Sequence, residues 1–402
     1  MNLKLYRPSI ARHAEPLLRS LARSFPVLVI TGPRQSGKTT LAREVFSDLP
    51  YVNLEDPDVR EQAILDPRLF FRRFPDGVVL DEVQRAPVLM SYMLGVADEA
   101  VRAGRFGRYV LTGSHQFGIM DGVTQSLAGR VGLVQLLPLS HAELRVAEEA
   151  TAYEISLEQR IFEGGYPALH GPARPEQLPH WFSAYMATYL ERDVRQMLNV
   201  GDLLLFQRFV CMCASRSGQT LNLNSLATDC GVSQPTARQW LTVLQASGLV
   251  ALVGAFHRNF GKRLVKAPKL YFLDTGLLCH LLRLSDPSVL WAHALRGAIF
   301  ETWVASEVLK HRANRGLPAD LYHWRDNHGL EVDLVAEQDG HLVPVECKSG
   351  MTVQSDWFAP YRKWRSIAGA NIDDLVLVYG GDVSYRGGDH HVLSWRDLGL
   401  SS

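Results

Sequence analysis

Short apolar runs alternate with helical patterns over the first third of the chain. The runs are PVLVITG, YVNLE, GVVLDE, RYVLTGS and VGLVQLLPL. Runs of this length, separated by helical stretches, are typical of a parallel sheet whose two faces are covered by helices. We therefore predict an α/β unit over residues 1–145.

The pattern changes twice further along the chain. Residues 146–285 read as mainly helical, and residues 219–275 within them follow the order helix, turn, helix and β-wing. From residue 286 a long helix, residues 295 to about 312, precedes two apolar strands around Asp339 and Gly340 and a later strand, DDLVLVYGG. Asp-Gly between alternating apolar residues is a strong hairpin signal, so we predict a third, α/β unit over residues 286–402.

The predicted hairpin, EVDLVAEQDGHLVPVECKSG, carries charge inside its apolar strands. If Asp339 and Gly340 form a two-residue turn, Asp333 lies opposite Glu346, and Lys348 shares a face with Glu346. Two carboxylates about 5 Å apart repel unless a cation lies between them. The pairing predicts a divalent metal site, whereas a longer loop would shift the register and separate the two residues.

Composition sets the broad class of protein. The 402 residues are 47% hydrophobic and 21% charged, as in globular proteins, and the formal net charge is zero. Nucleic-acid binding would therefore depend on local patches. The five cysteines are scattered without zinc-site spacing. We see neither a signal peptide nor an apolar run of the roughly 18 residues that span a bilayer, and we expect a cytoplasmic protein without a membrane partner.

The segment GPRQSGKT at residues 32–39 follows an apolar strand and precedes a helical pattern. This is the context of a phosphate-binding P-loop, in which glycines let backbone N–H groups approach phosphate oxygens. Lys38 is expected to reach the β- and γ-phosphates, and Thr39 to hold Mg²⁺. The segment predicts ATP and Mg²⁺ as cofactors; the alternative is a chance match in a loop.

Later strands end in further polar residues. Asp81 is expected to hold Mg²⁺, directly or through water, and Glu82 to position the attacking water. Thr112 and Ser114 are candidates to sense the γ-phosphate. Arg130 is a candidate to neutralise transition-state charge, in its own subunit or a neighbouring one, unless it is an ordinary surface arginine. The predicted nucleotide-binding residues are Gly32, Pro33, Arg34, Gln35, Ser36, Gly37, Lys38, Thr39, Thr40, Asp81 and Ser114.

Several motifs, in this order, resemble a large prokaryotic family of AAA-type P-loop ATPases with a C-terminal domain of unassigned function. They are VLVITGPRQSGKTTLA, VVLDEVQ, LTGS, SLAGRV, LLPLSHAEL, EGGYP and YLERDV. The resemblance implies that Lys38, Thr39, Asp81 and Glu82 are the Walker-type residues. It also implies that Arg130 is an arginine finger or sensor.

The middle of the chain carries a predicted DNA-binding surface. Gly231 is expected to form the turn, Ser233 to cap the second helix and Gly248 to close it. That helix would present Gln234, Thr236, Arg238 and Gln239, and the wing adds Arg258, Lys262, Arg263, Lys266 and Lys269 without an acidic residue. A local positive excess suits phosphate. The alternative is a lid or protein contact with solvated lysines.

Near the C-terminus, Glu301, Asp333, Glu346 and Lys348 resemble the core of PD-(D/E)xK nucleases, in the form FE…EVD…ECK. The resemblance implies that Asp333 and Glu346 bind Mg²⁺, that Glu301 completes the ligand shell, and that Lys348 steadies the attacking water or the transition state. Glu307 is the alternative helix carboxylate. Glu331 is expected to be a solvated edge residue. A degenerate fold kept as a DNA clamp is the alternative to an active nuclease.

These features together predict an oligomeric ATPase that acts on DNA, with a possible Mg²⁺-dependent nuclease site. Two alternatives remain open at this point. One is a non-cleaving ATP-dependent DNA motor or remodeller, and the other is a nucleotide-switched scaffold that contacts protein. DNA-stimulated ATP turnover and metal-dependent cleavage distinguish the three.

Overall fold

A computed structural model describes residues 10–114, 127, 129–149, 154–171, 174–175, 177–190, 194, 203–256, 267–326, 328–368 and 372–400. None of the helices in these ranges is long and apolar enough to cross a bilayer.

The N-terminal unit contains a five-stranded parallel sheet in the order β2-β3-β4-β1-β5. Its strands are β1 (Val27–Thr31), β2 (Tyr51–Asn53), β3 (Val78–Asp81), β4 (Tyr109–Gly113) and β5 (Val131–Gln135). The helices are α1 (Glu15–Ala22), α2 (Lys38–Val45), α3 (Pro57–Leu65), α4 (Pro67–Arg72) and α5 (Val88–Arg102). The predicted parallel sheet is confirmed.

Both faces of this sheet are covered, which explains why its strands are apolar throughout. Val27 and Val29 of β1 pack in one core with residues of α3, α4 and α5, while Leu28 and Ile30 pack in another with residues of α1 and α2. Strands that are buried on two faces read as continuous hydrophobic runs. The carboxyl ends of all these strands lie at one edge, where the loop after β1 is found.

The middle of the chain is helical, as predicted. It contains α6 (His141–Glu149), α7 (Leu157–Glu163), α8 (Leu178–Tyr189), α9 (Leu203–Ala214), α10 (Leu223–Cys230) and α11 (Gln234–Ala246). Gly231 adopts φ 73° between α10 and α11, and Ser233 Oγ accepts a hydrogen bond from the Thr236 amide at 3.2 Å. The predicted turn and helix cap are confirmed.

The remaining elements form one mixed sheet with its helices. The strands are β6 (Gln219–Thr220), β7 (Val250–Ala255), β8 (Lys269–Phe272), β9 (Leu321–Arg325), β10 (Glu331–Gln338), β11 (His341–Lys348), β12 (Leu375–Tyr379), β13 (Tyr385–Arg386) and β14 (His390–Ser394). The helices are α12 (Thr275–Leu281), α13 (Pro287–Ala292), α14 (Arg296–Asn314) and α15 (Ala359–Ala368). The long helix expected from residue 295 is therefore confirmed as α14.

This second sheet crosses the predicted boundary at residue 286. Its strand order is β13-β14-β12-β11-β10-β9-β7-β8-β6, and β7 pairs with β9 in parallel through Gly254 with Tyr322 and Ala255 with His323. The middle and C-terminal regions, predicted as separate units, thus share backbone hydrogen bonds. Apolar periodicity reveals strands but not which strands pair over a distance, so the sequence could not show this junction.

The charged hairpin has the predicted turn. Asp339 and Gly340 have φ 51° and 80°, and β10 pairs with β11 from Gln338–His341 as far as Leu334–Val345. This register brings Asp333 next to β11, where its Oδ2 accepts a hydrogen bond from the Cys347 amide at 2.9 Å. The predicted register is confirmed over these pairs, and the longer-loop alternative is not found.

Replacement of Gly340 by alanine tests this turn. A Cβ at Gly340 meets no atom within 4 Å, so the substitution adds only the cost of a left-handed backbone, about 1 kcal/mol. We expect the urea midpoint of unfolding, followed by tryptophan fluorescence, to fall accordingly. Asp339→Gly is the matched control and should change the free energy of unfolding by less than about 0.5 kcal/mol. Equal losses in both variants would contradict the turn geometry.

Candidate active site

The loop between β1 and α2 has the geometry that phosphate binding requires. Gly32 has φ 146°, and a Cβ there would lie 2.1 Å from the Leu136 carbonyl oxygen; Gly37, with φ 93°, precedes α2. Lys38 is buried, and its Nζ donates to the carbonyls of Gly32 at 3.0 Å and Pro33 at 2.8 Å. The ammonium thus lies along the loop whose backbone would face the phosphates.

A buried arginine supports this loop from behind. The guanidinium of Arg12 donates to the Ser36 carbonyl at 2.6 Å, to the Leu137 carbonyl at 2.7 Å and to Glu143 Oε1 at 3.0 Å. Burial alone would raise the pKa of Glu143, but Arg12 and the amides of Ser140 and His13 lower it below its usual value. The pair therefore stays ionised beneath the loop. Arg12 was not predicted as a functional residue, because it lies in no recognisable motif.

The carboxylate at the end of β3 meets the first residues of α2. Asp81 accepts hydrogen bonds from Thr39 Oγ1 at 2.9 Å and from Tyr51 OH at 2.7 Å, and it also contacts the Thr112 hydroxyl. Thr39 and Asp81 thus supply two hard oxygen donors side by side, which suits Mg²⁺. When bound there, Mg²⁺ would neutralise phosphate charge. Tyr51 was not predicted, since only the fold brings β2 against β3.

Glu82 lies beside this pair in an unusual backbone conformation. Its φ and ψ are 56° and 45°, in the left-handed region that non-glycine residues rarely adopt. Burial raises the pKa of Glu82 above its usual value, and Lys38 opposes the shift. The Gln84 amide contacts Glu82 and lies 3.3 Å from Ser114 Oγ. Glu82 and Ser114 are thereby linked by Gln84.

The middle of the chain completes the pocket. A cavity of about 480 Å³ is lined by the loop, α2 and Glu82, and on its other side by Pro167, Tyr185 and Thr188. Arg34, Gln35 and Thr40 also line it. Pro167 belongs to the EGGYP segment, in which the Gly165 amide donates to Asp274 at 2.7 Å. These three lining residues were not predicted, although Pro167 lies in EGGYP, one of the motifs that carry the family resemblance.

Arg130 lies at the opposite edge of the sheet. Its carbonyl accepts from the amide of Val27, the first residue of β1, and its side chain pairs with Asp98 at 2.5 Å. Five strand residues separate Val27 from the P-loop, a distance of about 16 Å. The structure therefore does not bring Arg130 to the nucleotide pocket of its own subunit, and a role at a neighbouring subunit or as an ordinary surface arginine stays a prediction.

The nuclease-like residues meet on the second sheet. Glu346 lies 2.6 Å from Lys348 Nζ, and burial and Asp333 raise the pKa of Glu346 to about 7. Burial and Asp333 also raise the pKa of Glu301 to about 8. Burial raises the pKa of Asp333 itself. The alternative helix residue, Glu307, instead accepts from the His141 amide at 2.6 Å, so Glu301 is the helix carboxylate of this cluster.

Lys269 was predicted to contact DNA, but the structure places its ammonium among the carboxylates of this cluster. Its ammonium lies 2.7 Å from Glu301 and 2.6 Å from Glu331, and its side chain is 3% exposed. Burial alone would lower the pKa of Lys269, but Glu301, Asp333 and Glu331 raise it above its usual value. Glu331, expected to be a solvated edge residue, is ion-paired. Sequence periodicity could not show that β8 approaches α14.

The residues of this cluster do not fit a metal ion in the present arrangement. Among the residues that the structure describes, no group of three or more His, Cys, Asp or Glu side chains is placed to hold one. Glu301 and Glu331 already contact an internal ammonium, and Glu346 contacts another. The predicted Mg²⁺ site at Asp333 and Glu346 therefore remains a prediction.

The predicted DNA-binding residues are only partly described. Gln234, Arg238 and Gln239 are exposed on the first turns of α11, and Thr236 is half-buried. Arg258, Lys262, Arg263 and Lys266 lie outside the described residues. The structure thus presents three polar side chains on one exposed helix end.

Comparison with known proteins identifies the family. A family model described as an AAA domain matches residues 24–145, and two described as domains of unknown function, DUF8612 and DUF4143, match residues 154–288 and 296–398. The uncharacterised protein Rv2008c of Mycobacterium tuberculosis is 32% identical over 315 residues, which are 78% of this chain and 68% of that protein. Mb2031c of Mycobacterium bovis gives the same values.

Solved structures resemble the chain more distantly. They include the Walker-type ATPase PABY2304 of Pyrococcus abyssi, with a TM-score of 0.43 and 16% identity over 70% of this chain and 100% of that one. The Thermotoga maritima RuvB Holliday junction branch migration motor gives 0.30 and 16% over 61% and 92%. Aeropyrum pernix ORC1, solved in complex with DNA, gives 0.30 and 16% over 72% and 97%. Similarity at this level carries no functional argument.

The AAA domain and the geometry of Lys38, Thr39 and Asp81 define the class: the protein is an AAA-type P-loop ATPase that uses ATP with Mg²⁺. The chain belongs to the family of the mycobacterial protein Rv2008c.

Removal of Arg12 tests the support of the P-loop. Arg12→Met leaves the Glu143 carboxylate buried without its ion-pair partner, which typically costs about 3–5 kcal/mol of stability. Arg12→Met/Glu143→Gln should recover most of that stability but not the ATP affinity, because the Ser36 carbonyl still lacks its donor. Chemical unfolding and titration with a fluorescent ATP analogue measure the two effects. Recovery of both in the double variant would contradict the support role.

The Arg12–Glu143 pair also makes the free energy of unfolding depend on pH. Folding lowers the pKa of Glu143 from 4.5, so ionised Glu143 contributes its full stabilisation above pH 4.5. This contribution is lost as the pH falls through the lowered pKa of the folded protein. The Arg12→Met/Glu143→Gln variant lacks this contribution.

Proposed function

We propose that the protein uses ATP hydrolysis to control its binding and remodelling of DNA. The observation that supports this is the contact between α11 and the P-loop. Gly248, just beyond α11, lies so close to Pro33 that a Cβ there would be 2.9 Å from Pro33 Cδ. The 13 residues of α11 span about 20 Å. One helix thus connects an exposed polar end with the nucleotide-binding loop.

A second contact connects the nucleotide cavity to the same point. Tyr185 and Thr188 of α8 line the cavity, and Tyr189 of that helix donates through its hydroxyl to Ser247 Oγ at 3.0 Å. A phosphate group that shifts α8 would therefore also shift the end of α11. This gives nucleotide state a physical route to the exposed residues of α11.

DNA is the proposed partner because of the chemistry of α10 and α11. In a helix-turn-helix the first turns of the second helix meet base edges in the major groove. Arginine and glutamine are the side chains that read guanine and adenine there, and Arg238 and Gln234 occupy those turns. We extend the interface to a winged helix with Arg258, Lys262, Arg263 and Lys266, whose charges would bind phosphate.

For the C-terminal region we favour binding without cleavage. Its nuclease-like carboxylates already contact Lys269 and Lys348, which leaves the metal-dependent nuclease as the rival. A nucleotide-switched scaffold that contacts only protein is the other alternative. In that case α11 would contact protein rather than DNA.

DNA-stimulated ATP turnover tests the proposal. We expect linear, forked, single-stranded and four-way DNA to include at least one substrate that raises the rate of phosphate release. Gln234→Ala/Arg238→Ala should raise the DNA concentration for half-maximal stimulation by at least about tenfold, since each base contact contributes about 1–3 kcal/mol. Arg102→Ala, which removes an exposed arginine on α5, is the matched control.

The same reactions distinguish the rivals when Mg²⁺ or Mn²⁺ is present and the DNA is examined for cutting. Intact DNA with stimulated turnover supports the proposal. Cleavage that is lost in Asp333→Ala and Glu346→Ala would establish the nuclease instead. Neither binding nor stimulation on any substrate would favour the protein scaffold.

We also propose that the protein works as a homo-oligomer in which Arg130 serves the neighbouring nucleotide site. Arg130→Ala should leave ATP affinity within about twofold and lower turnover at least about 100-fold, because arginine fingers act mainly in the transition state. Mixing Arg130→Ala with Lys38→Ala subunits should restore part of the turnover, since each supplies what the other lacks. No loss of turnover in Arg130→Ala would contradict the role.

A further inference from the structure

We propose that Lys269 is the resident cation of the acidic cluster formed by Glu301, Glu331, Asp333 and Glu346. In this view the ammonium supplies the positive charge that a divalent ion supplies in nuclease-like sites. Removal of that ammonium should convert the cluster into a divalent-cation site. The inference does not depend on the proposed action on DNA.

The ammonium occupies a position where a metal ion would be expected. Its nitrogen lies 2.7 Å from Glu301 Oε1 and 2.6 Å from Glu331 Oε1. Divalent ions bind carboxylate oxygens at about 2.0–2.6 Å, so the two kinds of cation would require nearly the same space. Tyr271 OH donates to the same Glu301 oxygen at 2.6 Å and fixes its orientation. Because the side chain of Lys269 is 3% exposed, water does not replace these contacts.

The charges of the cluster also require a cation. Four carboxylates face two lysines, of which Lys348 contacts Glu346 at 2.6 Å, and Arg325 lies 3.6 Å from Glu331 at the exposed edge. Loss of Lys269 would remove the ammonium that both Glu301 and Glu331 contact. Buried carboxylates without a partner either take up protons or bind another cation.

Lys269 also connects elements from different regions of the chain. Lys269 begins β8, where it pairs with Thr220 of β6 and Val253 of β7. Its partners Glu301 and Glu331 belong to α14 and β10. The ammonium of Lys269 thus links β8, which follows the helix-turn-helix, to α14 and β10 of the C-terminal region through two ion pairs. A metal ion held only by the carboxylates would lack this link to β8.

The test uses the full-length protein with Asp81→Asn, which removes the P-loop carboxylate that suits Mg²⁺. Mn²⁺ is the probe, and calorimetric titration without nucleotide measures its binding. Lys269→Met in this background removes the charge at similar length. We expect it to gain one Mn²⁺ site, at least about tenfold tighter than any in the parent, and to lose that site when Asp333→Asn is added. Lys269→Arg, which keeps the charge, should gain none.

Two results would overturn the inference. One is a Mn²⁺ site in the parent that Asp333→Asn abolishes, because the cluster would then hold metal with Lys269 in place. The other is a folded Lys269→Met protein that binds no Mn²⁺. Thermal unfolding reports folding of each variant, and a Lys269→Met protein that Mn²⁺ stabilises agrees with the inference. If Lys269→Met folds neither with nor without Mn²⁺, the inference is tested by Mn²⁺ binding to the parent and to its Asp333→Asn variant. A site that is present in the parent and absent from that variant would overturn it.

Discussion

The buried ion pair between Arg12 and Glu143 fixes the part of the molecule on which the other regions depend. Its guanidinium holds the backbone of the P-loop on one side and the Leu137 carbonyl on the other. Removing one partner of a buried ion pair typically costs about 3–5 kcal/mol, because the other charge is left uncompensated. The segment of residues 137–143 is therefore held in one position relative to the loop.

The peptide groups of residues 137–143 form hydrogen bonds with elements that are distant in sequence. The Leu139 amide donates to the Gly165 carbonyl at 2.7 Å, and the Leu139 carbonyl accepts from Lys310 Nζ at 3.1 Å. Glu307 of the same helix accepts from the His141 amide. Glu301 lies six residues earlier on α14, about 9 Å along its axis. A rigid helix thus runs from the P-loop support to the acidic cluster.

Much of this arrangement was predictable, because local patterns determine it. The P-loop, Asp81 and the Asp339-Gly340 turn are short-range features, and each has the predicted geometry. The contacts of Arg12, Tyr51 and Lys269 are not short-range, since each partner is distant in sequence or on another element. Lys269 shows the difficulty most clearly: in the sequence it follows four basic residues, whereas in the fold it faces carboxylates.

The pairing of β7 with β9 has a consequence for how this family can change. Recombination tends to exchange segments that fold independently, and two separate family models match the middle and C-terminal segments of this chain. In this protein, β7 of the middle segment pairs with β9 of the C-terminal segment, with Gly254 opposite Tyr322. A hybrid that joined a foreign C-terminal segment near residue 290 would expose an unpaired strand edge, which promotes aggregation. We therefore expect the two segments to be inherited together and to vary in concert.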